Sequence, residues 1–183
     1  MKKYYSHYNI LSINLETNKE KISDLAVLRE EENEAFRSFL NHRDRYDIDN
    51  MVHDINLKVE PLIDCTHCGA CCKGLMINVT KNETEDIAKH LNITTEHFTE
   101  KYIEESAGGM MIMNTIPCHF LEDKKCSVYE HRFSECRDFP HLHKPNFNDR
   151  LFATLIHYSI CPIIFNVVEE LKIKTNFFKQ KEA

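Results

Sequence analysis

Three observations predict a mainly helical α+β fold. Charged segments carry apolar residues at helical spacing, a short alternating stretch suits one small hairpin, and all eight cysteines fall in the back two thirds of the chain. Four of the eight stand in one octapeptide, Cys65-Thr-His-Cys68-Gly-Ala-Cys71-Cys72. Four thiols in a polar, glycine-bearing loop have nothing apolar to pack against, so they read as ligands rather than as small hydrophobes. The expected architecture is a small metal-organised cysteine-rich domain with a short hairpin and an N-terminal helical extension. Residues 1–62 would form the extension, 63–175 the metal-binding domain and 176–183 a tail.

The first element runs from about 18 to 45, where Ile22, Leu25, Leu28, Phe36, Phe39 and Leu40 recur on an otherwise polar surface. This spacing predicts an amphipathic helix. A second periodic run, Met51, Ile55, Val59 and Leu62, leads through Pro61 into the cysteine loop and would buttress it. Beyond the loop, 77–80 reads as a short strand. Thr80 followed by Glu83 is a capping-box pattern opening a helix that carries Ile87 and Leu91. Thr94 or Thr95 begins another, with Phe98, Tyr102 and Ile103, which Gly108-Gly109 would end.

Residues 110–129 alternate enough for a hairpin turning at Glu122-Asp123-Lys124, which would bring Cys118 and Cys126 together. Cys161 immediately precedes Pro162, and proline is favoured at the first helical position. Cys161 is therefore expected at the N-cap of the helix over IIFNVVEELK, where backbone N–H groups favour thiolate.

Composition excludes several classes. The 183 residues, 42% of them hydrophobic, suit one soluble domain with an extension. A net charge of −6 with interspersed signs offers no basic face for nucleic acid. No apolar run approaches the roughly 18 residues of a membrane span. The N-terminus lacks the apolar run of a signal peptide, so a cytoplasmic location is expected. Thiols kept reduced there are more often metal-binding or catalytic than disulfide-forming.

The candidate ligands are thus Cys65, Cys68, Cys71, Cys72, Cys118, Cys126, Cys136 and Cys161. A C-x-x-C turn serves zinc or an iron-sulfur cluster equally. The C-x-x-C-x-x-C run with a distant Cys-Pro tilts the reading towards iron-sulfur, as [4Fe-4S], while eight thiols also make two four-thiolate Zn2+ sites with Cys71 and Cys72 diverging between them. A spare thiol at Cys71 or Cys72 is a third arrangement. Thiolate sets carry negative charge that cations relieve, and Lys73, Arg132 and Arg137 are placed for it, with Lys124 and Lys125 in the hairpin turn. His67 and His119 adjoin candidate ligands and would hydrogen-bond around them. His141, His143 and His157 lie nearby without diagnostic spacing.

CTHCGACC, then PCHFL, CSVYEHR with CRDFP, and ICP, in this order, resemble the YkgJ-type cysteine-cluster family, whose domain is described as zinc- or iron-chelating. The likeness covers roughly residues 64–171 and departs where the family commonly has proline and this chain has Phe133. It implies chelation by the eight cysteines and supplies no reaction. A related cysteine-rich segment occurs in flagellin lysine N-methylases, but this chain has no glycine-rich nucleotide loop. Whether the chain is an enzyme therefore stays open. The alternatives to a redox or catalytic metalloprotein are a zinc-stapled module presenting its N-terminal helices to a protein partner, and a metal-delivery protein.

Overall fold

The computed structural model describes residues 15–178; the expectations for the extreme N-terminus and the last residues of the tail lie outside them. Helix α1 (Lys19–Leu28) starts at Asn18, whose side chain accepts from the Lys21 N–H, and α2 (Glu30–Leu40) follows after one residue. The single helix expected over 18–45 is therefore broken at Arg29. That break lets Ile22 on α1 and Phe36 and Leu40 on α2 face one core, and Arg29 pairs with Glu169 across it. Helix α3 (Arg45–Val59) is capped by Asp44, which accepts from the Asp47 N–H, and it buries Ile48, Val52, Ile55 and Val59 along one stripe.

The chain then passes through the cysteine loop and the short helix α4 (Ala70–Gly74) into a second region. Thr80 and Glu83 close the expected capping box on α5 (Lys81–His90). Helix α6 (Thr95–Tyr102) starts at Thr94 but stops earlier than the glycines suggested. Ile103 instead begins strand β1 (Ile103–Glu105), antiparallel to β2 (Met111–Met113), and Gly109, at φ +76°, turns between them. Of the strand expected over 77–80, a single bridge between Asn78 and Ile112 forms. The second hairpin, β3 (Leu121–Glu122) and β4 (Lys125–Cys126), turns where the sequence indicated. The fold is mainly helical α+β with two small hairpins.

Helix α7 (Ser134–Asp138) leads back to the first region, where α8 (Phe147–Ile156) packs on α2 and α3. Nothing local announces α8. Its first N–H groups, of Asn146 and Phe147, donate to Asp49 on α3 at 2.7 and 2.8 Å, so its cap comes from almost a hundred residues away. Helix α9 (Pro162–Lys174) lies against α3 and is buried nearly all round.

Two apolar cores result. The helical core joins Ile22, Phe36, Leu40, Val52, Phe147 and Val167, among others from α1, α2, α3, α8 and α9. The fully buried Lys172 crosses it, its ammonium held 2.7 Å from both Glu32 and Glu169, while the Tyr158 hydroxyl donates to Glu169. A buried cation is tolerated only when paired in this way. The smaller core gathers Ile77, Ile87, Phe98, Met113, Phe120, Val128 and Phe133 under the two hairpins. No helix among the described residues is long and apolar enough to cross a membrane.

Candidate metal centre

The cysteine loop is shaped by its own polar residues. Asp64 accepts from the Thr66 N–H at 2.8 Å, and a tight turn over Cys65–His67 closes with the Cys68 N–H donating to the Cys65 carbonyl. Gly69 then takes φ +60°, a conformation that L side chains rarely adopt. A Cβ there would also stand 3.0 Å from the Lys124 carbonyl oxygen, so only glycine lets this loop lie on the β3–β4 turn. Helix α4 follows and carries Cys71 and Cys72. Neighbours on a helix point about 100° apart, so the two thiols aim at different surroundings although their sulfurs stay 3.9 Å apart.

The eight thiols sort into two fours. Cys65, Cys68, Cys71 and Cys161 line one pocket, walled by Ile63, Phe139, Ile160 and Ile163. Cys161 belongs to the helical core and sits at the N-cap of α9 with Pro162 in the first position, where the sequence placed it. Its sulfur closes no capping hydrogen bond, yet the Ile163 and Ile164 N–H groups face it. Cys118, Cys126 and Cys136 instead pack on the smaller core, and Cys72 lies within electrostatic reach of all three. The Cys118 N–H donates to the Cys72 carbonyl at 2.8 Å, and Cys136 lies within electrostatic reach of Cys72, Cys118 and Cys126, and of Cys71 where the two sets meet. The N–H groups two residues on, of Phe120 and Val128, face the sulfurs of Cys118 and Cys126.

All eight cysteines are free thiols. Burial, with the neighbouring sulfurs adding to it, pushes Cys65, Cys118 and Cys126 above the usual thiol range and Cys136 and Cys161 up to about 12. Within the adjacent pair, the hydrogen bond they share raises Cys72 and lowers Cys71. Thiols crowded so closely resist ionising until a cation arrives, and metal binding would release their protons. The donor set therefore fits zinc or an iron-sulfur centre in kind. Its sulfurs stand together without being drawn in, since no three His, Cys, Asp or Glu among the described residues converge tightly enough to hold an ion.

Of the expected cations, Arg132 acts on the thiols, favouring ionisation of Cys65, Cys126 and Cys136, with its guanidinium stacked 3.9 Å over Tyr129. Arg137 turns away to the Arg132 carbonyl. Lys73 is exposed on the outer end of α4, and Lys124 contributes its backbone rather than its charge. His119 bonds Asn114 at 2.9 Å and meets Tyr102 edge-on rather than serving a thiol. His157 stands edge-on to Phe139, His143 is exposed, and the side chain of His67 lies outside what is described. Sequence reasoning missed Gly69 and the wall residues Ile63 and Phe139. The glycine was legible in C-x-x-C-G-A, whereas the wall exists only once α9 returns.

A family model described as "Putative zinc- or iron-chelating domain", with the signature CxxCxxCC, matches residues 64–158. No solved structure matches the chain. The matched span stops short of the expected residue 171 and leaves Cys161 outside, so its place beside Cys65, Cys68 and Cys71 rests on geometry alone.

Proposed function

The chain belongs to this zinc- or iron-chelating family, and we propose that it chelates metal in two four-cysteine centres. One is formed by Cys65, Cys68, Cys71 and Cys161, the other by Cys72, Cys118, Cys126 and Cys136. The observation that carries the reading is the grouping of four free thiols around one apolar-walled pocket and four beside the smaller core, with the adjacent Cys71 and Cys72 parted between them.

The pocket set suits a [4Fe-4S] cluster: its C-x-x-C-x-x-C run with a remote Cys-Pro has the ligand order of cluster proteins, and apolar walls keep water from the sulfurs except at the edge where Cys65 is exposed. The hairpin set, with Cys126 on β4, Cys118 just before β3 and backbone N–H groups turned to both sulfurs, suits a zinc ion. A bound cluster would supply one-electron chemistry. The protein's share is to exclude water with Ile63, Phe139 and Ile163, and to offset thiolate charge with Arg132 and the N-terminus of α9. Four thiolates per centre leave no open position for a substrate, which favours an electron-transfer or structural role over Lewis-acid catalysis. Eight free thiols suit a reducing cytoplasm, and the dispersed charge suits neither nucleic acid nor a membrane surface.

The second reading is metal delivery. Cys65 is exposed, which gives the pocket an open edge through which a labile ion would pass. The experiment compares Cys65→Ser and Cys136→Ser with the parent, all purified without oxygen. The visible absorption, iron and sulfide should fall further than zinc in Cys65→Ser, and zinc should fall further than iron in Cys136→Ser. Equal metal content in all three would overturn the assignment. Zinc alone in the parent, lost to a mild chelator without unfolding, would favour delivery.

A further inference from the structure

We infer that the two centres are not independent: the segment Gly69–Cys72 ties them so that each is filled and emptied together with the other. The inference rests on the two-centre reading above. Three contacts make the tie. Cys71 and Cys72 are consecutive residues of one short helix with their sulfurs 3.9 Å apart, so a shift of one toward its metal moves the other. The Cys72 carbonyl accepts from the Cys118 N–H at 2.8 Å, which clamps the end of the pocket loop to the start of the hairpin. Gly69, in the left-handed conformation, lets that loop lie against the Lys124 carbonyl in the turn of the same hairpin. A fourth element faces both fours, since Arg132 reaches Cys65 on one side and Cys126 and Cys136 on the other.

The consequence follows from how little else holds these backbones. Cys65, Cys68, Cys71 and Cys72 lie in a stretch containing one three-residue turn and one five-residue helix, and the hairpin strands are two residues each. Elements so short are not stable by themselves. Each centre therefore draws its order from the other's ligands as well as its own. Filling the hairpin centre fixes Cys72, and with it the helix that presents Cys71 to the pocket. Filling the pocket centre fixes the loop on which the hairpin turn rests. Linkage makes the effect reciprocal, and couplings of this kind typically change affinity by about 5- to 150-fold.

The test leaves the ligands in place. As-purified protein is challenged with increasing chelator, and metal-bound species are counted by native mass spectrometry while circular dichroism follows the fold. In the parent chain both centres should empty together, with little half-loaded protein. Gly69→Ala, which forces the loop off the hairpin without touching a thiol, should still purify with both centres filled but should accumulate the half-loaded species. A parent chain that passes through an abundant half-loaded state, or a Gly69→Ala chain that empties in one step like the parent, would overturn the coupling. A parent chain carrying only one centre from the outset would instead overturn the two-centre reading on which it rests.

Discussion

The helical region and the cysteine region of this chain hold their shapes by different means. In the first, α3 and α9 bury apolar stripes against each other and the buried Lys172 is paired with Glu32 and Glu169, so the backbone is fixed chiefly by exclusion of water. In the second, α5 and α6 bring Ile87 and Phe98 into a smaller core, but the segments that carry the cysteines are helices of five residues and strands of two, and three cysteines are themselves part of the core's wall. Where regular structure is that short, cross-links must do what packing does elsewhere, as is usual of small metal-organised domains. The lesson is that the cysteines proposed to bind metal also stand where a fold needs completing.

That contrast can be broken most severely by stripping the metal. Chelation under reducing conditions should abolish hydrogen-exchange protection across the hairpins and α7 while leaving it in α3 and α9; equal loss in both regions would make the molecule one cooperative unit. Next in size, Phe36→Ala removes a fully buried ring from the helical core and should cost about 3–5 kcal/mol. Thermal unfolding would record that loss, and metal content should not change. In the cysteine region, Thr80→Ala deletes the capping box of α5 and should cost on the order of 1 kcal/mol, read as faster exchange in the first turn of α5 alone.

The smallest effect is a titration at the seam between the regions. Burial holds His141 and His157 below the usual imidazole range. The folded state thus favours their neutral forms. Their contribution is complete above about pH 6.5 and is lost as pH falls through the lowered values. The melting temperature should decline with acidity below that point. Replacing both by Gln should flatten the decline, and an unchanged slope would remove these two residues from the account.

How much of this was legible in the sequence depended on whether the cause was local. Thr80 with Glu83, Thr94, the turn at Asp123, and Cys161 before Pro162 each act within a few residues, and each appears where expected. The break at Arg29 carries no proline or glycine and exists because Glu169 holds Arg29 from another helix. Helix α8 is capped by Asp49, far away in sequence, and β1 and β2 are too short to carry a periodic pattern. For the site, the octapeptide supplied the candidate ligands of the proposal, and the adjacency of Cys71 and Cys72 supplied the idea that they serve different centres. Which remote thiols lie near which was hidden, because Cys161 arrives at the start of α9 and Cys136 on α7, and the packing of two cores places them.

The most direct measurement is iron, zinc and acid-labile sulfide per chain, with an absorption spectrum, on the reduced protein purified without oxygen. Two centres of the proposed kinds predict about four irons with matching sulfide, broad absorption near ~400 nm, and about one zinc. Folded, reduced protein holding no metal would contradict the claim that these eight thiols complete the fold by binding it.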